Sequence, residues 1–427
     1  MFAEFRKLLQ RLYTWRQRRS FERLLLFMML LSVWPFRMIV QSLLNSFFSR
    51  RPTRILIIQL AGLGDTLMLT PALAALQRNY PSARIDFITL HAYVKEAFQN
   101  HPRFHHITTL PVLPGQWIVS RFVNRSGARL LLTAMWCYPE LLWQHFFARY
   151  ELGINFALSD FDRNLGNALL YCLGVQSRVG SVGMNDKLLT TRATVNHLQT
   201  QRASAYLQFL QPLEISPASN AYEFPVQKND LISVKVALIC ESVDLTKPLA
   251  VIHPGGKQHI NSRRWPAEYF ARVGEFLSAH QGFEIVLTGD ESDVEVCEKI
   301  AGKPGKGIKS IAGRLTFAET AALLSISELF ITNDTSALHL AEAVQVPRVI
   351  SIFGPTDAEL LAPRNHRHTV LKSKLPCAPC MGGSIDGNTE RCWRDVKEEC
   401  LWEITPAQVI DVLEHYYRKP AARVALA

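Results

Sequence analysis

The chain has 427 residues, 48% of them hydrophobic and 20% charged, with a formal net charge of +10. That length exceeds what one ordinary core organises and suits two domains with appendages, and no low-complexity tract or solenoid-period repeat points to disorder or a repeat array. Eleven basic residues (Arg6, Lys7, Arg11, Arg16, Arg18, Arg19, Arg23, Arg37, Arg50, Arg51, Arg54) stand against two acidic ones (Glu4, Glu22) within positions 1–54, so this segment carries +9 of the +10. A nucleic-acid-binding body would spread basic residues over the folded part, so nucleic acid is disfavoured as a partner against a membrane surface.

At the start of the chain, Phe2, Phe5, Leu8, Leu9, Leu12 and Tyr13 recur at helical spacing with Arg6, Lys7, Gln10 and Arg11 between them. This predicts a basic amphipathic helix of the kind that lies in a membrane interface. Leu24–Phe36 then runs thirteen residues without a charge, followed by Arg37 and by Met38–Ser49. A spanning helix needs ~20 predominantly apolar residues. Joining the two halves would set Arg37 at mid-bilayer, at roughly 2.5–3.5 kcal/mol. An interfacial or re-entrant anchor within residues 21–48 is therefore expected over a true span; a helical hairpin packed on the protein body is the alternative. No small-residue cleavage site follows the apolar run. Cys137, Cys172, Cys240 and Cys297 sit singly in apolar or helical contexts, as buried thiols of a reducing compartment do.

From Arg54 the pattern changes. Ile55–Ile58 predicts a buried strand, Ala61–Asp65 a tight turn, Thr66–Tyr80 an amphipathic helix and Ile85–Thr89 the next strand, a β-α-β opening. Its glycines do not spell G-x-G-x-x-G and no acidic residue ends the second strand, so the dinucleotide fingerprint is absent. Residues 91–230 alternate less cleanly, with a strand expected at Leu152–Phe156, helices at Leu165–Leu173 and Ala203–Gln211, and the polar run Pro217–Asp230 closing the domain. Val234–Cys240 and the helix-length segment around it bridge to the second domain. There Ala250–His253, Glu284–Thr288, Ile311, Leu329–Thr332 and Val349–Phe353 fall on strands, and Pro266–His280, Ser292–Ala301, Phe317–Ser325 and Ser336–Val344 on helices. Such alternation makes a doubly wound parallel α/β sheet whose ligands bind outside the carboxyl ends of its strands. Pro406–Tyr417 is a final helix. The domains read as 1–53, 54–240, 241–405 and 406–427.

The corner Asn333-Asp334-Thr335-Ser336, between a β-branched run and an apolar-periodic one, is a strand-to-helix turn. Unpaired backbone amides at such a helix start, with the positive end of its dipole, suit a phosphate or diphosphate. Asp334 is placed to accept hydrogen bonds from sugar hydroxyls beside that anion, and an ordinary N-cap is its alternative role. The chain therefore reads as a binder of sugar nucleotides. No Asp-x-Asp motif ends a strand, so a catalytic Mg²⁺ or Mn²⁺ is not expected.

Four stretches then carry a family resemblance. Gly62-Leu63-Gly64-Asp65 with Thr70-Pro71-Ala72-Leu73, His253-Pro254-Gly255-Gly256, Arg263-Arg264-Trp265-Pro266, and Asn333 through His339 with Phe353-Gly354-Pro355-Thr356 resemble, in order, the signatures of glycosyltransferase family 9, the bacterial heptosyltransferases. The resemblance covers residues 54–415 and leaves the N-terminal 53 outside it. It implies a GT-B fold, two Rossmann-like domains facing a central cleft with the C-terminal helix crossing back to the first. It also implies transfer of heptose, with inversion, from an ADP-heptose-type donor to lipopolysaccharide core at the cytoplasmic face of the bacterial inner membrane. Transfer of another sugar, transfer onto a protein, and sugar-nucleotide binding without activity are the alternatives.

Within that resemblance Asp65, in the loop of Gly62 and Gly64, matches the proposed general base, with an N-cap as its other reading. Arg263 matches the contact to donor phosphate, assisted or replaced by Arg264 or Lys257, and a solvated basic loop is the bland reading. Gly255 and Gly256 let backbone amides approach the anion. The amides of Thr335, Ser336 and Ala337 face the diphosphate; His339 is either a donor contact or a packed histidine; Glu319 resembles the nucleotide-ribose contact or is a solvated helical glutamate.

Cys377, Cys380, Cys392 and Cys400, one close pair and two followers, suit a structural Zn²⁺ or Fe site, with disulfides or free thiols as alternatives. Some heptosyltransferases with a similar C-terminal cluster hold iron.

Overall fold

Ile55, Leu56, Ile57 and Ile58 are all fully buried, the mark of a strand covered on both faces, where an unbroken apolar run replaces alternation. The computed structural model describes residues 27–36, 51–110, 131, 135, 138–146, 148–183, 185–256, 263–302, 307–381, 392, 394, 396 and 398–417. The chain divides into two units, Met1–Asn196 with Ala203–Asn220, and His197–Arg202 with Ala221–Ala427. This division falls at Asn220, inside the polar run expected to end the first domain. It gives the segment 221–240 to the second unit, where the sequence reading had placed it in the first.

The first unit holds the strands β1 (Arg54–Ile58), β2 (Arg84–Thr89), β3 (His106–Thr109), β4 (Leu152–Asn155), β5 (Ser177–Ser181) and β6 (Thr191–Ala193). They pair in the order β3-β2-β1-β4-β5-β6, all parallel. The second unit repeats the plan with β7 (Leu249–His253), β8 (Glu284–Leu287), β9 (Ile308–Ser310), β10 (Leu329–Asn333), β11 (Arg348–Phe353) and β12 (His368–Lys372), ordered β12-β11-β10-β7-β8-β9 and again all parallel. In each sheet the first and fourth strands are neighbours and the chain winds outward from them. That is the doubly wound topology, and its ligand crevice opens where the order reverses, between β1 and β4 in one unit and β7 and β10 in the other.

The helices are α1 (27–36), α2 (Leu63–Asn79), α3 (Ala92–Phe98), α4 (Pro139–Phe146), α5 (Asp160–Cys172), α6 (Arg202–Gln208), α7 (Lys228–Cys240), α8 (Ala267–Gln281), α9 (Val294–Ala301), α10 (Phe317–Ser325), α11 (Ser336–Ala343), α12 (Ala358–Leu361), α13 (Glu399–Trp402) and α14 (Pro406–Tyr417). Most boundaries fall near those expected, and the departures have local causes. The helix expected from Ser292 is split, because Asp290 accepts from the Ser292 amide and Asp293 returns a bond to the Asp290 amide, which closes a single 3₁₀ turn over Glu291–Asp293 before α9 begins. Ile311 lies one residue beyond β9. α14 is grouped with the second unit, where Val409 and Leu413 are buried in its core and the helix packs on α8.

α1 settles part of the N-terminal question. Its inner face, Phe27, Leu30, Leu31 and Trp34, packs into the first unit's core, and the Trp34 indole N–H donates to the Cys172 carbonyl at 3.1 Å. Its outer face, Met28, Met29, Val33 and Phe36, is exposed. Residues 27–36 are therefore docked on the protein body, and the rest of the hairpin considered above lies outside the described residues. Among the described residues no helix is long and apolar enough to cross a membrane. The amphipathic helix expected over residues 2–13 lies outside the described residues.

One buried charge cluster braces the second unit. The Glu342 carboxylate, at the end of α11, accepts from Asn365, Arg367 and His368 at 2.8 Å each. Burial works to raise its pKa, but the His368 and Asn365 hydrogen bonds with the Arg367 charge bring it below the ordinary carboxylate value.

Candidate functional site

In the second unit, β7 and β10 run side by side with Thr332 opposite His253, so both strands deliver their loops to the same edge of the sheet. Fully buried Asn333 ties those loops together. Its side-chain amide donates to the carbonyls of Pro254 (2.8 Å) and Gly255 (3.0 Å), and its side-chain oxygen accepts from the Trp265 amide (3.0 Å). Three of the four motifs singled out in sequence thus meet on one residue at the switch point.

Arg263 and Asp334 are both buried there, and Arg263 Nη1 donates to Asp334 Oδ2 at 3.1 Å and to the Asp334 carbonyl at 3.4 Å. The solvated-loop reading of Arg263 is overturned: the guanidinium is 8% exposed and oriented by a carboxylate. Breaking a buried pair by removing one partner costs about 3–5 kcal/mol, so the two side chains position each other. Asp334 does not cap α11. Thr335 does, accepting from the Ala337 amide at 3.3 Å. The Ala337 amide is thereby engaged locally.

Arg264 serves a different purpose. It donates to Asp293 Oδ1 at 2.9 Å and, from two nitrogens, to the Gly256 carbonyl. A Cβ on Gly255 would stand 2.1 Å from Asp293 Oδ2, so the Asp293 carboxylate occupies the space a side chain would take. Arg264 and Asp293 therefore clamp the Gly255-Gly256 loop. Asp293 was missed in sequence because it reads as one more acidic residue at a helix start. His253 donates from Nδ1 to the Thr288 carbonyl at 3.0 Å, and burial lowers its pKa.

The remaining donor-side candidates are less tightly drawn in. His339 is 4% exposed with its ring 6.1 Å from that of Tyr222, the packing its bland reading predicts. Glu319 completes a capping box with Thr316, accepting from the Thr316 amide and hydroxyl at 2.9 Å, and the amide bond leads in lowering its pKa. Lys257 lies outside the described residues.

In the first unit, α2 starts at Leu63 with Gly62 as its N-cap and no side chain capping it, so Asp65, in the first turn, is not the cap. Gly62 has an ordinary φ of −80°, so its glycine is not demanded by backbone conformation. Gly64 lies within the same turn. The Asp65 carboxylate accepts from the hydroxyl of Tyr206 at 2.6 Å. Tyr206, on α6, is 1% exposed and packs edge-on against Phe156, which directly follows β4. Asp65 follows β1, so the pair stands at this sheet's switch point. Tyr93 lies close by, its hydroxyl pKa raised by burial and by the Asp65 charge. Neither tyrosine carries a sequence signal, since each sits in an unremarkable helix far along the chain from Asp65.

The four C-terminal cysteines come together. Cys377, Cys380, Cys392 and Cys400 line one cavity of about 20 Å³ with Arg394 and Met381. Burial pushes the Cys400 thiol up to about 12, reinforced by the neighbouring Cys380, Cys392 and Cys377, and Cys380 is raised for the same reasons. Among the described residues no three His, Cys, Asp or Glu side chains stand as a preformed metal site. The donor set and shared cavity nevertheless fit a single thiolate-ligated ion.

The family model described as glycosyltransferase family 9 (heptosyltransferase) matches residues 187–386, which include the clamped glycine loop, Arg263 and Asp334. Over those residues the chain is similar to glycosyltransferase family 9. Among relatives, a lipooligosaccharide heptosyltransferase 2 of Campylobacter jejuni is 27% identical over 162 residues, 37% of this chain and 50% of that protein. The match therefore spans half the length of that relative. A lipopolysaccharide heptosyltransferase 3 of Escherichia coli is 27% identical over 316 residues, 69% of this chain and 80% of that protein. The fold is similar to that of the E. coli ADP-heptose lps heptosyltransferase II, with a TM-score of 0.61 at 18% identity, covering 85% of this chain and 98% of that one. This similarity accords with the two parallel, doubly wound sheets.

Proposed function

We propose that this chain is an inverting glycosyltransferase that moves heptose from an ADP-heptose-type donor to a lipopolysaccharide core acceptor, with Asp65 as the general base. The observation that carries the reading is the Asp65 carboxylate itself. It stands at a switch point, is not spent on capping its helix, and is held by a buried tyrosine. In the second unit the donor diphosphate is bound by the Gly255-Gly256 loop and the start of α11, with Arg263 supplying positive charge. The acceptor hydroxyl gives its proton to Asp65 as its oxygen bonds the anomeric carbon. The sugar–phosphate bond breaks and its electron pair leaves with the nucleoside diphosphate. Attack opposite the leaving group inverts the carbon. The names of the relatives, heptosyltransferases acting on lipooligosaccharide or lipopolysaccharide, support both substrates. The test is release of ADP by the purified chain on adding ADP-heptose and core oligosaccharide; no release above the rate with either substrate alone would refute it.

Two partner readings accompany this one. Cys377, Cys380, Cys392 and Cys400 hold a structural Zn²⁺ or Fe ion, whose positive charge would stabilise thiolates, against the burial that raises Cys380 and Cys400. Elemental analysis is expected to find one ion per chain, lost in both Cys377→Ser and Cys400→Ser; a metal-free wild type would dispose of the site. The outer face of α1, with the basic residues around it in sequence, docks on the cytoplasmic face of the inner membrane. The chain should sediment with anionic phosphatidylglycerol vesicles, and Val33→Asp with Phe36→Asp should weaken this at least tenfold, at about 1.4 kcal/mol per decade. Undiminished binding by that variant would remove α1 from the contact.

A further inference from the structure

We infer that Tyr206 is a positioning residue for the reaction, fixing which oxygen of Asp65 takes the acceptor's proton; this rests on the reading of Asp65 as the base. The hydroxyl of Tyr206 donates to Asp65 Oδ1 at 2.6 Å. A phenol has one proton to give, and here it goes to one carboxylate oxygen, so Oδ2 is the oxygen left to receive a proton. The donor is itself well fixed. Tyr206 is 1% exposed and its ring meets Phe156 at a 79° interplanar angle with centroids 6.2 Å apart. Phe156 also packs on Phe209, with centroids 5.1 Å apart. The hydroxyl is thus carried on a rigid aromatic cluster at the end of β4, while Asp65 is carried on the first turn of α2 after β1. One hydrogen bond joins α6 to the first turn of α2.

A carboxylate on a helix's first turn can otherwise rotate to cap it, as Asp residues there often do. The tyrosine supplies a competing bond in the other direction. General-base catalysis depends on a proton acceptor held within hydrogen-bond reach of the hydroxyl, and misplacement costs rate more than binding. Tyr206 does not touch the donor in this account, so it affects turnover and leaves donor affinity alone. Tyr93, whose hydroxyl also senses the Asp65 charge, is 42% exposed and stacks on His91.

The experiment compares wild type, Tyr206→Phe, Asp65→Asn and the double variant, all as full-length protein, in ADP release from ADP-heptose and core oligosaccharide. Phenylalanine keeps the ring packing and removes only the hydroxyl. Tyr206→Phe is expected to lower kcat by about ten- to a hundredfold with the donor KM within about twofold, and to have no further effect in the Asp65→Asn background, because residues acting as a unit are non-additive. Unchanged kcat, or a loss repeated in the Asp65→Asn background, would overturn the role of Tyr206 while leaving Asp65 as base. Full turnover by Asp65→Asn, or none by wild type, would instead overturn the underlying reading and this inference with it.

Discussion

Asparagine at position 65 is expected to cut ADP release by about 10³-fold while ADP affinity, measured by calorimetry, stays within about twofold. The amide is nearly isosteric with the carboxylate and can still accept the Tyr206 hydrogen bond through its oxygen, so the 2.6 Å contact survives the change. What is lost is the capacity to take a proton from the acceptor hydroxyl. In the proposed mechanism donor recognition belongs to residues of the other unit, which this substitution leaves in place. A parallel fall in affinity and turnover would make Asp65 a structural residue, and the proposed mechanism would then lack its base.

The second large effect concerns Arg263. Lysine there keeps a positive charge but replaces a planar fork by a point charge, so kcat/KM is expected to fall by about 10²-fold while the fold is retained. Methionine is expected to do more. It would leave Asp334, 5% exposed, without its partner, and destabilise the protein by about 3–5 kcal/mol. Thermal unfolding should therefore separate the two substitutions even though both lose activity. If Arg263→Lys proves as active as wild type, the guanidinium is an internal strut for Asp334 and the leaving group is stabilised from elsewhere.

Much of the architecture was legible because parallel sheets leave a strong trace. Ile55–Ile58 and Leu329–Thr332 are apolar runs bounded by turns, and both prove to be central strands. The edge strands were not legible. β3 reads HITT and β6 reads TRA, short and polar because an edge strand has less surface to bury. The sequence also placed these corners at strand ends, as observed, since glycine loops and Asn-Asp-Thr-Ser turns are local devices whose residues are contiguous.

Which side chain does what at those corners was another matter. The sequence reading offered Asp334 or Asp65 as helix caps and Arg264 as a phosphate ligand. The structure instead makes Thr335 and the Gly62 backbone the caps, gives Asp334 to Arg263, and commits Arg264 to Asp293. The Arg263–Asp334, Arg264–Asp293 and Tyr206–Asp65 pairings join residues 71, 29 and 141 positions apart along the chain. The sequence by itself determined the class of fold, the resemblance to a family and the position of the loops at the strand ends, because hydrophobic period and turn residues act over a few neighbours. Only tertiary structure could decide the partners of each charge and hydroxyl, because a hydrogen bond forms between groups brought together in space and is indifferent to their separation in the chain.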